Sequence, residues 1–377
     1  MARKLKSDKL LFTATVLLVC TSVVMVYSAS AFIALENNGD PYLFLFKQGT
    51  WALLGLMLVP LMMRIDYRTY RQPVVSWTGL AIVTIALVAV LFGHARNGAN
   101  RWLALGSLGI QPSELAKIVI ILFIAALLER RMDRIDEPTY ALMPIGIVLA
   151  LIVALILREP DLGTSVSIVV IAAVMIFAAG IDYRYIGAVG LAALPALYLL
   201  LAFSEYRWRR VQAFLNPWAN PLGDGFQMIQ SMIAVGTGGI TGRGLMAGVQ
   251  KLFYLPEPHN DFIYAVIAEE LGLVGASIVL ACFCVITWRG LRTSLRAPDR
   301  FGAFLALGLT TMVAFQAFFN ISVVLGLLPT KGIPLPFVSY GGSSLLINLI
   351  GMGILLNVSQ HASSTHVVTT TMPMQDA

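Results

Sequence analysis

The sequence predicts an all-α polytopic membrane protein, with ten transmembrane helices and a long extracytoplasmic loop between helices 7 and 8. Three observations predict it. Of 377 residues, 58% are hydrophobic and 12% charged, against about 25% charged in a typical soluble domain. The mean hydropathy is +0.80, and apolar runs recur at the length that crosses a bilayer, about 20 residues. Lysine and arginine concentrate in alternate connections, the pattern that orients membrane proteins.

The ten runs are 10–35, 43–63, 74–93, 113–129, 141–157, 163–180, 186–203, 263–288, 301–326 and 342–358. The first contains Ala29-Ser30-Ala31, which resembles a signal-peptide cleavage site. It is long for the apolar core of a signal peptide and stays apolar through Leu35, so it reads as a retained span. The fourth, fifth and last runs are short, which implies tilt or burial. Fifteen Lys and Arg lie in the connections on the side of the N-terminus and nine on the other, five of the nine in one long loop where the rule weakens. Both termini are therefore expected in the cytoplasm. Residues 1–358 read as one membrane domain, and the Ser/Thr-rich tail, 359–377, as a disordered segment. The net charge of +6 resides in short loops, without a basic helix interleaved with aromatics, which excludes nucleic-acid binding. Cys20, Cys282 and Cys284 all fall in apolar runs and form neither a disulfide framework nor a metal site.

The outer side holds the long connections, 94–112, 204–262 and 327–341. A loop of that second length is uncommon unless it is functional. No nucleotide is available outside the membrane, so a reaction there must draw on an already activated substrate. Within 204–262, the run Ser204-Glu-Tyr-Arg-Trp-Arg-Arg210 reads either as an interfacial anchor or as a site for an anionic headgroup or substrate. Phe226, Ile229, Met232 and Ile233 share one helical face, predicting a short amphipathic helix capped near Asp224 or Gly225. The glycine-rich stretch 236–248 suits either close packing or phosphate contact, with Arg243 and Lys251 adding charge. Gly242, Gly244 and Ala247 match a dinucleotide fingerprint only superficially, because no βαβ unit surrounds them.

The most informative segment is Pro256-Glu-Pro-His-Asn-Asp-Phe262. Its prolines disfavour helix and stiffen the approach to span eight. In an extended segment Glu257, His259 and Asp261 would share one face, an arrangement that on alternation alone is weak evidence for a metal site. Asp261 reads in two ways: as a helix N-cap, or as a general base whose proton affinity is raised by desolvation. Elsewhere on this side, Glu114 and Lys117 can pair at i, i+3, yet Lys117 heads into lipid depth, where a charge needs a partner or a wet cavity. Arg158, Glu159 and Asp161 lie on the same side. Three prolines and three glycines in 328–344 preclude regular structure, and backbone there must be protein-buried or line a cavity. Together these point to a polar cavity opening outward.

Seven motifs in order carry a resemblance over nearly the whole chain. They are Asn97-Gly-x-x-Arg-Trp-Leu103, Gln111-Pro-Ser-Glu-Leu-Ala-Lys117, Glu159-Pro-Asp-Leu-Gly-Thr164, Asn216-Pro through Gln230-Ser231, Pro256-Glu-Pro-His-Asn-Asp-Phe262, Glu269-Glu-Leu-Gly272, and Pro329-Thr-Lys-Gly through Ser339-Tyr-Gly-Gly-Ser-Ser344. The chain resembles the SEDS family (shape, elongation, division and sporulation). One departure is visible: Asn260 stands where the family usually has Thr. The resemblance implies a ten-span peptidoglycan glycosyltransferase of the inner membrane that polymerises lipid II, a disaccharide-pentapeptide on undecaprenyl pyrophosphate. Asp261 matches the family's essential carboxylate. A class B penicillin-binding protein, a transpeptidase, is the implied partner, together with other division proteins of the membrane. Residues 250–258 look more like the division branch than the elongation branch, so septal synthesis is expected. In this reading Asp261 takes the proton of the acceptor sugar 4-hydroxyl, which attacks the donor anomeric carbon with inversion. Lys117 and one or more of Arg101, Arg210, Arg243 and Lys251 offset pyrophosphate charge, and Trp102 positions a sugar or the lipid. Glu114, His259, Lys331 and Ser339 complete the expected binding set. No sequence feature demands a cofactor, although a divalent cation, Mg or Mn, could assist at the pyrophosphate. Two rivals are a lipid II flippase, since buried charges also suit a translocation path, and a non-catalytic scaffold for division proteins.

Overall fold

A computed structural model describes residues 7–92, 101–105, 108–135, 137–252 and 254–362. Thirteen α-helices are described. They are α1 (Lys9–Asn38), α2 (Leu43–Arg64), α3 (Pro73–Leu91), α4 (Pro112–Arg131), α5 (Pro138–Ala141), α6 (Met143–Arg158), α7 (Leu162–Ala178), α8 (Tyr183–Ala202), α9 (Glu205–Leu215), α10 (Phe226–Gly238), α11 (Ile263–Leu295), α12 (Arg300–Val324) and α13 (Gly342–Ala362). One two-stranded antiparallel hairpin, β1 (Leu103–Leu105) and β2 (Leu108–Ile110), pairs Leu103 with Ile110. Each of the ten apolar runs falls on a helix. Six of those helices, α1, α2, α3, α11, α12 and α13, are long and apolar enough to cross a membrane by length and composition.

Local chemistry sets the helix ends. The Asp8 carboxylate accepts from the backbone N–H of Leu10 and Leu11 at 3.1 and 3.2 Å, satisfying donors left orphaned at the start of α1. Asp161 and Asp299 do the same for α7 and α12. Proline opens α3 and α4, where its missing N–H costs nothing.

Helices α12 and α13 form the buried centre. α13 packs on α2, and α12 on α4, α7 and α11. Large apolar side chains such as Phe46, Met57, Val74 and Ile85 point outward, as a lipid-facing surface requires. At the basic end of the bundle, polar contacts tie the elements together. Arg289 bonds Asp8 at 2.6 Å, Asn357 Oδ1 accepts from Tyr67 N–H at 2.9 Å, and Arg71 pairs with Glu129 at 2.8 Å.

The structure differs from the sequence expectation in three places, the first two at the opposite end. First, α11 is broken at Gly272, whose φ of 67° favours glycine. The break orphans backbone groups on both sides, and the glycine-rich segment 239–244 satisfies them. The N–H groups of Arg243 and Gly244 donate to the carbonyls of Glu269 and Glu270, while Leu273 and Val274 donate to Gly239 and Ile240. Those two glycine-loop N–H groups are thus committed to a helix break, not to phosphate. The break is sharp enough for the Tyr264 hydroxyl to reach the Ala276 carbonyl at 3.1 Å. Second, residues 257–262 form turns instead of an extended strand. Glu257 takes a positive φ of 51°, and Asn260 N–H donates to its carbonyl at 3.1 Å. Third, α13 runs through Ala362, so residues 359–362 of the expected tail are helical and 363–377 lie outside the described residues. On α10 the buried face is Met228, Ile229, Ser231 and Ala234, whereas Ile233 is exposed.

Candidate active site

The connection from α12 to α13 folds back into the bundle, and polar side chains hold its backbone there. Ser22 on α1 donates to the Val338 carbonyl at 2.9 Å, and Gln48 on α2 to that of Ser339 at 3.3 Å. Backbone at this depth needs such partners. The same connection grips the turn before α11. Tyr340 N–H donates to the His259 carbonyl at 2.9 Å, and the Ser339 hydroxyl to that of Asn260 at 2.6 Å. The Asn320 amide on α12 bridges both, donating to the carbonyls of Asp261 and Ile333 at 2.8 Å each. Asp261 therefore sits on a turn fixed at three successive residues.

Its carboxylate does not cap α11: the N-cap position is Phe262, with no side-chain bond. Asp261 instead lines a crevice of about 140 Å³ with Arg210, Gln227, Glu257, Phe262, Thr330, Lys331 and Gly332. Gly332 lets the backbone approach closely, since a Cβ there would lie 2.9 Å from Asp261 Oδ2. Burial pushes the Asp261 acid up to about 6, with Glu257 and Asp161 adding to the rise and Arg210 and Arg101 opposing it. Lys331 moves the other way, down to about 8, through burial and then the neighbouring charges of Arg210, Arg207 and Arg101, with Asp161 opposing. A carboxylate ionised at neutral pH thus faces several cations.

Two of these cations have a defined mount. Arg210 on α9 donates to the Thr330 carbonyl at 3.0 Å. Arg101 donates to the carbonyls of Glu159 and Pro160 at 2.9 and 2.8 Å, pinning the start of the hairpin to the α6–α7 corner. Asp161, in that corner, accepts from Thr164 N–H and hydroxyl at 3.1 and 2.7 Å and from Gln111 at 3.3 Å. Both its oxygens are occupied, and among the described residues no three His, Cys, Asp or Glu converge as metal ligands would.

Of the predicted set, Asp261, Arg101, Arg210 and Lys331 come together here. The others are placed differently. Lys251 is buried against Glu270 at 2.5 Å and Ser28 at 2.9 Å, which consumes its charge. Arg243 lies 3.9 Å from Glu269 beside the helix break. Lys117 and Glu114 form a buried pair at 2.7 Å and do not line the crevice. His259 packs its ring against Phe44 and Tyr340, turned away from Asp261 by the tight backbone. Burial holds its imidazole below the usual range, hence neutral. The Ser339 hydroxyl is spent on Asn260 and on Leu335 N–H, so it positions the turn. Trp102 packs over Gly109 of the hairpin and remains half exposed, beside Arg101. Residues 97–100 of the same motif lie outside the described residues.

Sequence reasoning missed Gln227 and Thr330, and took Arg207 only as part of the run 204–210 offered as an interfacial anchor or an anionic-ligand site. Arg207 had a signal: with Arg210 it occupies i and i+3 of α9, one face of a helix rather than a string in a loop.

An apolar helical bundle with a charged crevice at one end defines a polytopic membrane protein with a site outside its apolar belt. Comparison with known proteins narrows this. Residues 8–364 match the model of the cell cycle protein family that groups FtsW, RodA and SpoVE. The chain belongs to this family, the SEDS family. It is 45% identical over 353 residues to a Geobacter sulfurreducens protein named "Probable peptidoglycan glycosyltransferase FtsW", covering 93% of this chain and 95% of that one. It is 42% identical over 366 residues to "Stage V sporulation protein E" of Bacillus subtilis, covering 96% and 99%. Among solved structures, one described as "Structural coordination of polymerization and crosslinking by a peptidoglycan synthase complex" superposes with a TM-score of 0.78 at 31% identity, covering 95% of this chain and 99% of that one. The Thermus thermophilus rod shape determining protein RodA gives 0.70 at 26% identity, covering 94% and 97%.

Proposed function

We propose that this chain is a peptidoglycan glycosyltransferase that polymerises lipid II on the outer face of the cytoplasmic membrane, for septal wall synthesis. The observation that carries the reading is the crevice, in which a basic carboxylate at Asp261 faces Arg210 and Lys331. The names of the Geobacter relatives and the family membership support the same activity. In this reading all ten apolar runs cross the membrane, the basic end and both termini face the cytoplasm, and the loop 204–262 lies outside.

The chemistry follows from the geometry. At neutral pH Asp261 is largely ionised and accepts the proton of the acceptor 4-hydroxyl as the new glycosidic bond forms. The oxygen attacks the donor anomeric carbon, and the bond to the pyrophosphate oxygen breaks with inversion. Lys331, Arg210, Arg207 and Arg101 stabilise the charge left on the departing polyprenyl pyrophosphate. A divalent cation, Mg or Mn, would be held at the crevice by Glu257 or Asp261 together with the donor's own phosphates, and would supply further positive charge to the leaving group. The steps here rely on side chains alone.

The partner we propose is a class B penicillin-binding protein. The related solved structure is a synthase complex that joins polymerisation to crosslinking. The test is reconstitution of the purified chain with labelled lipid II and that transpeptidase. Glycan strands should form with the native chain and vanish with Asp261→Asn. Lipid II crossing vesicles without polymer would instead make it a flippase.

A further inference from the structure

Glu159 closes the α6–α7 corner two residues before Asp161, and the proposed cycle gives it no task. Its side chain is fully buried, at 0% exposure. Neither carboxyl oxygen has a hydrogen-bond partner among the described residues. The charged groups facing it are two. Arg101, leading into the hairpin, spends its guanidinium hydrogen bonds on the backbone carbonyls of Glu159 and Pro160 and makes no salt bridge with the carboxyl. Asp161, capping α7, is a like charge. Gln111 at the start of α4 is neutral and serves Asp161, and Arg158 on Glu159's own helix is exposed. A carboxylate without donors in a desolvated corner is far costlier than the neutral acid.

We infer that Glu159 is a positioning residue that serves the crevice by staying uncharged, leaving the charge of Arg101 for the pyrophosphate, and that its ionisation weakens the site from the alkaline side. This rests on reading the crevice as a pyrophosphate site. As a neutral acid, Glu159 fills the corner and shapes the carbonyl pair that mounts Arg101. Loss of its proton to solvent would place a new anion beside Arg101 and Asp161 and cancel part of the cationic field. Burial, then the Asp161 charge, push the acid up to about 8, with Arg101 opposing. Lys331 loses its own charge in the same range, so the experiment must separate the two.

The full chain in lipid is studied by two readouts. The first is infrared spectroscopy between pH 7 and pH 10, which needs no activity. A carboxylic C=O band should bleach on alkalinisation in the native chain and be missing from Glu159→Gln. An identical bleach in both proteins would overturn the inference, whether or not either makes glycan. The second compares polymerisation at pH 9 with that at pH 7 in a Lys331→Arg background, which removes the lysine's titration. Lys331→Arg alone should lose activity at pH 9, by up to about tenfold, the limit one unit above a titration near 8. Lys331→Arg with Glu159→Gln should keep a ratio near one, and equal losses would count against the role of Glu159. An infrared change in a chain that makes no polymer with lipid II would overturn the polymerase reading and support the neutral state of Glu159.

Discussion

Gly332 presses its backbone against the carboxylate of Asp261: a Cβ at 332 would lie 2.9 Å from Oδ2. Two distant segments, the turn before α11 and the connection before α13, meet at this point. The contact fixes how far the carboxylate can retreat from the crevice. A glycine is required here by proximity, not by backbone conformation.

Gly332→Ala should therefore damage turnover while leaving the fold intact. The added methyl must displace Asp261 or the loop by a few tenths of an ångström or more. Misplacement of a reacting group on the order of 1 Å costs about a hundredfold. Steady-state kinetics with lipid II should show kcat falling by up to that amount and KM nearly unchanged. A normal kcat would mean that the carboxylate has room the structure does not show.

Asp261→Asn should separate stability from activity. Loss of a general base costs about 10²- to 10⁴-fold in rate. The stability effect has the opposite sign. The folded acid titrates at about 6, above its ordinary 3.8. The stability it contributes is complete below about 4 and is lost as pH rises through about 6. At neutral pH the ionised group weighs against the fold, by less than the full shift because the side chain keeps some contact with solvent. Thermal unfolding in detergent should place the Asn variant above the native chain at pH 7.5, with the gap closing by pH 4.

The pH–rate profile should be bell-shaped. Below about 6 Asp261 becomes protonated and cannot take the hydroxyl proton, so kcat/KM falls about tenfold per unit. Above about 8 Lys331 loses its charge and donor binding weakens. Lys331→Met removes one charge-assisted contact of about 1.5–3 kcal/mol, a 10- to 100-fold rise in KM for the lipid-linked donor. A KM unchanged by that substitution would place the pyrophosphate elsewhere.

How much of this was legible in the sequence follows from what each signal encodes. The ten apolar runs found their helices because the bilayer demands length and hydropathy, both local properties. A charged crevice around Asp261 was legible because ionisable groups beside lipid are rare. The face shared by Glu257, His259 and Asp261 was misread because alternation presumes an extended chain. A positive φ at Glu257 and a following turn send His259 toward Phe44 instead. Lys251 looked available for substrate because its partner Glu270 is nineteen residues away, on a separate element, the first part of α11. Charge pairs between elements leave no periodic trace, so composition cannot say which cations are already spent.

That last pairing can be tested through Ser28, Lys251 and Glu270. Glu270 accepts from the Ser28 hydroxyl at 2.7 Å, from Lys251 at 2.5 Å and from Met246 N–H at 3.0 Å, with Lys251 and Glu270 both at 1% exposure or less. The cluster ties α1 and the loop after α10 to the first part of α11, which follows directly on Asp261. Breaking a buried pair by removing one partner costs about 3–5 kcal/mol, because the other charge stays buried alone. Lys251→Met should therefore lower the unfolding temperature markedly. Replacing both charges by apolar groups of similar volume removes that penalty, so Lys251→Met with Glu270→Leu should recover most of the loss. If the cluster only stabilises, polymerisation by the double variant returns with the fold. If it also sets the position of Asp261, kcat stays low in a stable protein, and a double-mutant cycle on kcat alongside one on stability distinguishes the two.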